Sequence, residues 1–174
     1  MKSQTKIAIT GPESSGKSIL SDFLGSYFNA MIVKEYSRTY YLSYVFTNSR
    51  EEIIAIAEGQ IQAEREAAKS DATLIICDSD LINIKIWMEY YDFEVPQFIL
   101  DYLDSNPYDF SLLLLPNTPW IADPLRRNPD DRMELYESFK TNLLAHNYSF
   151  EIVKELHEAR HQEAVQLIKN RFSI

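Results

Sequence analysis

Two kinds of hydrophobic pattern alternate along this chain. Short, almost wholly apolar runs occur at Lys6-Ile7-Ala8-Ile9-Thr10, Met31-Ile32-Val33, Thr73-Leu74-Ile75-Ile76-Cys77, Leu112-Leu113-Leu114-Leu115 and Phe150-Glu151-Ile152-Val153. Such runs predict strands, and their unbroken apolar character fits a sheet covered on both faces. Between them apolar residues recur every three or four positions, which predicts amphipathic helices. The first runs over 18–28, with Ile19, Phe23, Leu24 and Tyr27 on one face. An aromatic-rich segment over 36–46 reads as helical. Ser49 and Glu52 have capping-box spacing and open a long helix to about 69. Further helices are expected over 81–91, 96–105 and 132–144, and a last one carries Leu156, Ala164, Leu167 and Ile168. Five strands alternating with helices define an α/β fold, with a five-stranded parallel sheet in three layers and helices on both faces. Pro119, Pro124 and Pro129 mark residues 117–132 as a loop, read as a short lid. Residues 1–174 read as one domain.

Composition agrees with a packed domain. The 174 residues are 45% hydrophobic and 25% charged, which excludes a disordered or low-complexity chain. No apolar run approaches the ~20 residues of a membrane helix, and the N-terminus lacks a signal-peptide pattern. A single cysteine, Cys77, cannot close an intramolecular disulfide, so a cytoplasmic location is expected. The net charge of −9 argues against nucleic acid as a partner. Eight acids and one base fall between Asp78 and Asp109. That stretch reads as a solvated acidic face or as a wall toward a cationic or polyhydroxyl ligand. Homo-oligomerisation stays open.

Only four glycines are present, and two of them, Gly11 and Gly16, belong to Gly11-Pro12-Glu13-Ser14-Ser15-Gly16-Lys17-Ser18. This is the phosphate-binding pattern G-x-x-x-x-G-K-[ST], met by chance in roughly one in a hundred chains of this length. It lies between an apolar strand and a helix, where its mechanism requires it. Backbone N–H groups from Glu13 to Ile19 are expected to cradle phosphates, helped by the N-terminus of the following helix. Lys17 is expected on the β- and γ-phosphates of ATP, and Ser18 as a ligand of Mg²⁺. Gly25 and Gly59 fall inside helical patterns and carry no such role.

Further motifs narrow the chemistry. No N-K-x-D guanine motif and no L-S-G-G-Q signature is present, and the length is short for a full AAA-type module with its lid domain. A small-molecule kinase fits the rest. Glu35, after the second strand, is a candidate substrate ligand or base. Asp78, ending the third strand, is a candidate Mg²⁺ ligand or base, with Asp80 a substrate ligand beside it. Arg126, Arg127 and Arg132 are candidates for a lid arginine that stabilises the transferring phosphoryl group. Rival readings are an ATP-hydrolysing regulatory module and a kinase for another small molecule.

Gly11–Ser18, Glu35-Tyr36-Ser37-Arg38, Asp78-Ser79-Asp80 and Trp120 with Asp123 and Arg126 together resemble the ribosylnicotinamide kinase domain of the NadR-type NAD biosynthesis proteins. The resemblance spans about residues 6–170. It implies ATP-dependent phosphorylation of the 5′-hydroxyl of nicotinamide riboside, with Glu35 and Asp78 in the substrate pocket and Arg126 in the lid. Tyr36, Arg38, Asp80, Trp87 and Trp120 are further candidates for the substrate pocket. Ten residues precede Gly11, so the DNA-binding and adenylyltransferase segments of longer relatives are expected to be missing. Two departures stand out. Lys34 occupies the position where an aromatic stacking partner is expected, and a lysine there would repel a cationic ring. Pro124 stands where relatives tend to carry glycine, which stiffens the lid. Tyr36, Tyr40, Tyr41, Trp87 and Trp120 are the aromatics that could stack instead, with Trp87 the best placed.

Overall fold

Apolar runs without polar alternation can be buried only in the middle of a layered structure, and the computed structural model bears this out. It describes residues 4–45, 47–122 and 130–173. The strands are β1 (Thr5–Thr10), β2 (Met31–Val33), β3 (Leu74–Asp78), β4 (Phe110–Leu114) and β5 (Phe150–Val153). The helices are α1 (Lys17–Phe28), α2 (Tyr36–Tyr40), α3 (Arg50–Ala67), α4 (Leu81–Tyr90), α5 (Gln97–Asp104), α6 (Arg132–Ala145) and α7 (His157–Phe172). All strand pairs are parallel, in the order β2-β3-β1-β4-β5.

The sheet serves two cores. Ala8, Val33, Ile75, Cys77 and Leu113 point to one side, where α3, α4, α5 and α6 supply Ile56, Ile82, Leu103 and Phe139. Ile7, Ile9, Leu74, Ile76, Leu112 and Leu114 point to the other, against Leu20 and Leu24 of α1 and Ala164 and Ile168 of α7. All five residues of β3 and of β4 are buried. Truncating one of these large apolar side chains to alanine typically costs about 2–5 kcal/mol.

Two elements depart from the pattern. β4 begins at Phe110, two residues before the all-leucine run, because Asp109 N–H donates to the Lys6 carbonyl at 2.8 Å and starts the ladder there. α2 stops at Tyr40, although the aromatic spacing predicts a helix to 46. Beyond it Leu42, Tyr44 and Val45 are exposed, so no buried face rewards further turns. The chain unwinds through Leu42 N–H to Thr39 carbonyl and Ser43 N–H to Tyr40 carbonyl bonds. The capping box at the start of α3 forms, with the Ser49 hydroxyl accepting from Glu52 N–H at 3.2 Å.

A buried polar cluster ties the sheet to the helices on one side. Glu64 of α3 is fully buried and pairs with Lys6 of β1 at 2.9 Å. The same carboxylate accepts from the hydroxyls of Tyr102 at 2.6 Å and Tyr108 at 2.9 Å, and from the Gln60 amide at 3.2 Å. Gln60 in turn accepts from Tyr36 N–H at 2.9 Å, fixing the chain just after β2. A buried carboxylate is tolerated only when paired and hydrogen-bonded in this way.

β1 lies centrally, with β3 on one side and β4 on the other. The chain leaves β1 between them, which is the place where a parallel sheet opens a crevice at the carboxyl ends of its strands.

Candidate active site

The loop from Gly11 to Ser18 fills that crevice. Gly11 has φ +132°, and a side chain there would meet the Leu114 carbonyl oxygen at 2.9 Å. Gly16 has φ +89° and opens α1, where Leu20 N–H reaches its carbonyl at 3.1 Å. Both conformations favour glycine. The Ser15 hydroxyl donates to the Pro12 carbonyl at 2.8 Å and braces the turn. Lys17 Nζ donates to the Gly11 and Pro12 carbonyls at 2.7 and 2.9 Å, so the ammonium lies across the loop. Burial lowers its pKa, against the raising influence of Glu35, Asp78, Glu13 and Asp80.

Segment 116–121, after β4, is laced to this loop. Ser14, in the left-handed region at φ 55°, is the point of attachment. Its hydroxyl accepts from Ile121 N–H at 3.1 Å, and its carbonyl accepts from the Thr118 hydroxyl. Arg132 braces the same segment from α6. It donates to the Thr118 carbonyl at 2.9 Å and the Pro116 carbonyl at 2.7 Å. Arg132, expected from the sequence as a candidate lid arginine, is placed here as a brace of the segment after β4. Its Nη1 and Nη2 donate to backbone carbonyls of that segment, and Arg132 does not line the cleft. Arg126 and Arg127, and with them Asp123 and Pro124, lie outside the described residues.

The acids divide between two walls. Asp78 is the last residue of β3 and pairs in register with Ile9, two residues before Gly11. The Ser18 hydroxyl stands close enough to its carboxylate to favour the charged form, and its Oδ1 is buried with no hydrogen-bond partner among the described residues. Burial raises its pKa, the neighbouring Ser18 hydroxyl lowers it, and Glu35 raises it further. An orphaned carboxylate oxygen beside a hydroxyl is a hard-oxygen donor set of the kind Mg²⁺ takes when substrate phosphates complete its shell. The residues thus fit the metal that the loop motif implies. Asp80 caps α4, accepting from Asn83 N–H at 3.1 Å, while its Oδ2 is buried and has no partner among the described residues. Burial is the main reason its pKa is pushed up to about 6.

The main cleft runs from the loop, with Glu13, Lys17, Ser18 and Ile19, past Glu35, Arg38 and Asp80, to Trp87 and Tyr91. Glu35 stands at the start of α2, 3.7 Å from Arg38 Nε. Trp87 and Tyr91 are one helical turn apart at the end of α4, with ring centroids 6.1 Å apart and nearly parallel planes. Tyr91 hydroxyl donates to Asn48 Oδ1 at 3.1 Å, and Tyr41 lines the cleft opposite.

Other expected residues fall elsewhere. Tyr36 does not line the cleft. Its ring lies on Gly59 of α3, where an added Cβ would meet it at 2.0 Å. Trp120, half-buried in the segment after β4, is also absent from the cleft wall. Tyr40 stacks on Tyr44 at 4.5 Å. Lys34 does not line the main cleft. Lys34 ion-pairs with Asp22 and borders a neighbouring shallow hollow with Ser18 and Asp78. The motifs did not single out Asn48, Ile53, Ile56, Gln60, Asn83 and Tyr91, which complete the cleft. A helical signal for some was present. Ile53, Ile56 and Gln60 are spaced three and four apart, as are Asp80, Asn83, Trp87 and Tyr91.

A parallel sheet of this order, a G-x-x-x-x-G-K-S loop after its central strand and a pair of acids at the end of the neighbouring strand define the P-loop kinase fold. The chain belongs to the family described as AAA domain, whose model matches residues 6–160. Although the chain is short for a full AAA-type module with its lid domain, the domain of this family fits within it. The "Trifunctional NAD biosynthesis/regulator protein NadR" of Salmonella typhimurium is 31% identical across 94% of this chain and 42% of its own length. The structure of NadR protein in complex with NR superimposes with a TM-score of 0.79 at 19% identity, over 98% of this chain and 52% of that one. Deoxyadenosine kinase from M. mycoides with bound dCTP has a TM-score of 0.59 at 18% identity, over 98% of this chain and 100% of that one. The NadR-type resemblance carried by the motifs holds along the chain and in the fold. The chain spans less than half the length of this curated relative.

Proposed function

We propose that this protein transfers the γ-phosphoryl group of ATP to the 5′-hydroxyl of nicotinamide riboside, giving nicotinamide mononucleotide and ADP. One observation carries the reading. A phosphate loop, two carboxylates and a nearly parallel aromatic pair, Trp87 and Tyr91, face one cleft. A pyridinium ring is both flat and cationic. Aromatic faces attract it through their quadrupoles, and Glu13, Glu35 and Asp80 give the cleft negative charge. The bound NR in the NadR structure supports the same assignment.

The residues divide the work as follows. N–H groups of the loop and Lys17 hold the β- and γ-phosphates. Ser18 and Asp78 would hold Mg²⁺, which when bound neutralises charge across the β- and γ-phosphates. Glu35 and Arg38 orient the ribose. Asp80, with an unpartnered buried oxygen and a pKa near 6, accepts the proton as the 5′-oxygen attacks the γ-phosphorus. The bond from that phosphorus to the β–γ bridging oxygen breaks, and ADP leaves carrying the electron pair. Arg126 or Arg127 supplies the lid charge. The protein acts in the cytoplasm as one kinase-like domain.

The test is a coupled assay of ADP release with nicotinamide riboside and a panel of neutral nucleosides. Nicotinamide riboside should give the highest kcat/KM, with monophosphate formed in equal yield to ADP. Faster turnover of a neutral nucleoside would replace the substrate, and ADP release indifferent to every nucleoside would favour the ATP-hydrolysing module instead.

A further inference from the structure

Arg160 lies on α7, outside every motif, and is 5% exposed. Its guanidinium fork reaches three separate segments. Nη1 donates to the Ser15 carbonyl at 2.5 Å, Nη2 to Asn117 Oδ1 at 2.8 Å and Nε to the Glu155 carbonyl at 2.8 Å. Those segments follow β1, β4 and β5, three adjacent strands of the sheet. Asn117 closes the set by donating to the Lys154 carbonyl at 2.6 Å. A planar fork with several donors can hold three acceptors at fixed angles, which a lysine cannot do.

We propose that Arg160 is a positioning residue for the phosphate loop, setting the orientation of the Ser15–Gly16 peptide. In a trans peptide the carbonyl and the following N–H point in opposite directions. Pinning the Ser15 carbonyl toward α7 turns the Gly16 N–H away from α7 and into the loop. A charged donor on that carbonyl also strengthens the N–H as a donor to an anion, since linked hydrogen bonds polarise one another. Gly16 has a second reason to be glycine here, because a Cβ would sit 2.9 Å from Arg160 Nη1. Desolvation lowers the Arg160 pKa, as expected of a cation held mainly by backbone oxygens.

The inference rests on the reading that Gly11–Ser18 binds the phosphates of ATP. Its test is calorimetric titration of the full chain with ADP, alongside KM values for ATP and for the nucleoside. Arg160→Met should weaken ADP binding and raise the KM for ATP about tenfold, leaving the nucleoside KM within twofold of wild type. A folded Arg160→Met that binds ADP as tightly as wild type overturns the inference. If Arg160→Met does not fold, Arg160→Lys decides, since it keeps the charge and stem but loses the fork. A fivefold or greater loss of ADP affinity supports the positioning role, and unchanged affinity overturns it. Wild-type protein that binds no ADP would overturn the phosphate-cradle reading itself.

Discussion

The ammonium of Lys17 donates to the carbonyl of Gly11 at 2.7 Å, so the loop's own lysine closes the loop that begins six residues earlier. A phosphate entering the cradle offers the ammonium better acceptors than two neutral carbonyls. Lys17→Ala should therefore remove transition-state stabilisation and lower kcat by roughly 10²–10³, the cost of one such donor in comparable sites. Steady-state kinetics beside a thermal melt checks this. A melting temperature within a few degrees of wild type, with that loss of rate, is the expected pair of results.

Asp78 stands beside the Ser18 hydroxyl, and its Oδ1 is buried without a partner among the described residues. Asp78→Asn removes the negative charge of that donor set while nearly keeping its shape. The Mg²⁺ concentration giving half-maximal transfer should rise at least tenfold, while ADP binding measured without the metal changes little. A loss of binding and of the cooperative melt together would make Asp78 a structural residue instead.

Asp80 gives a pH dependence whose sign can be worked out. Its folded pKa of about 6 lies above the ordinary 3.8. The folded state thus holds the proton more tightly than the unfolded chain. The resulting stability is full below about pH 3.8 and is lost as pH rises through about 6. Asp80→Asn keeps an acceptor for the α4 cap, so it should melt higher than wild type at pH 7.5 and show no such advantage at pH 3.5. Activity should run the other way. For wild type kcat/KM should fall below about pH 6 as Asp80 takes up a proton, and Asp80→Asn should lose that limb along with most of its rate.

Gly59 and Tyr36 test how the substrate wall is supported. A methyl at 59 has no room beneath the Tyr36 ring, so Gly59→Ala should destabilise the fold by about 1–3 kcal/mol through overpacking, despite better helix propensity. The displaced ring lies next to Glu35, so the nucleoside KM should rise as well. Urea denaturation of Gly59→Ala, Tyr36→Ala and the double variant checks the contact. The double variant should be less destabilised than the two single effects added together.

Part of the site was legible because its chemistry is local. The phosphate loop needs glycine, lysine and serine at set spacings along one strand–turn–helix, and consecutive residues cannot be carried apart by folding. The same holds for Asp78 and Asp80, which end a strand whose apolar run is unmistakable. Trp87 follows from Asp80 by helical spacing along α4. The side-chain directions of Tyr36 and Trp120 are not legible in this way, for the opposite reason. Their motifs locate the backbone near the cleft, but whether a ring turns into it depends on what else offers it a surface. For Tyr36 that surface was Gly59, over twenty residues away.

The sequence by itself determined a five-stranded parallel α/β fold and a phosphate-loop chemistry, because strand runs, helical periodicity and the loop motif are all short-range patterns. Only the tertiary structure decided what the other residues do. It turned Lys34 to Asp22, spent Arg132 on the loop after β4 and brought Arg160 from the last helix to the back of the phosphate loop. It also gave the two remaining glycines a purpose, Gly25 against Ile32 and Gly59 against Tyr36. These are contacts between segments distant in the chain. Their partners are chosen by packing and by the need to satisfy each buried donor, and neither is written in local spacing.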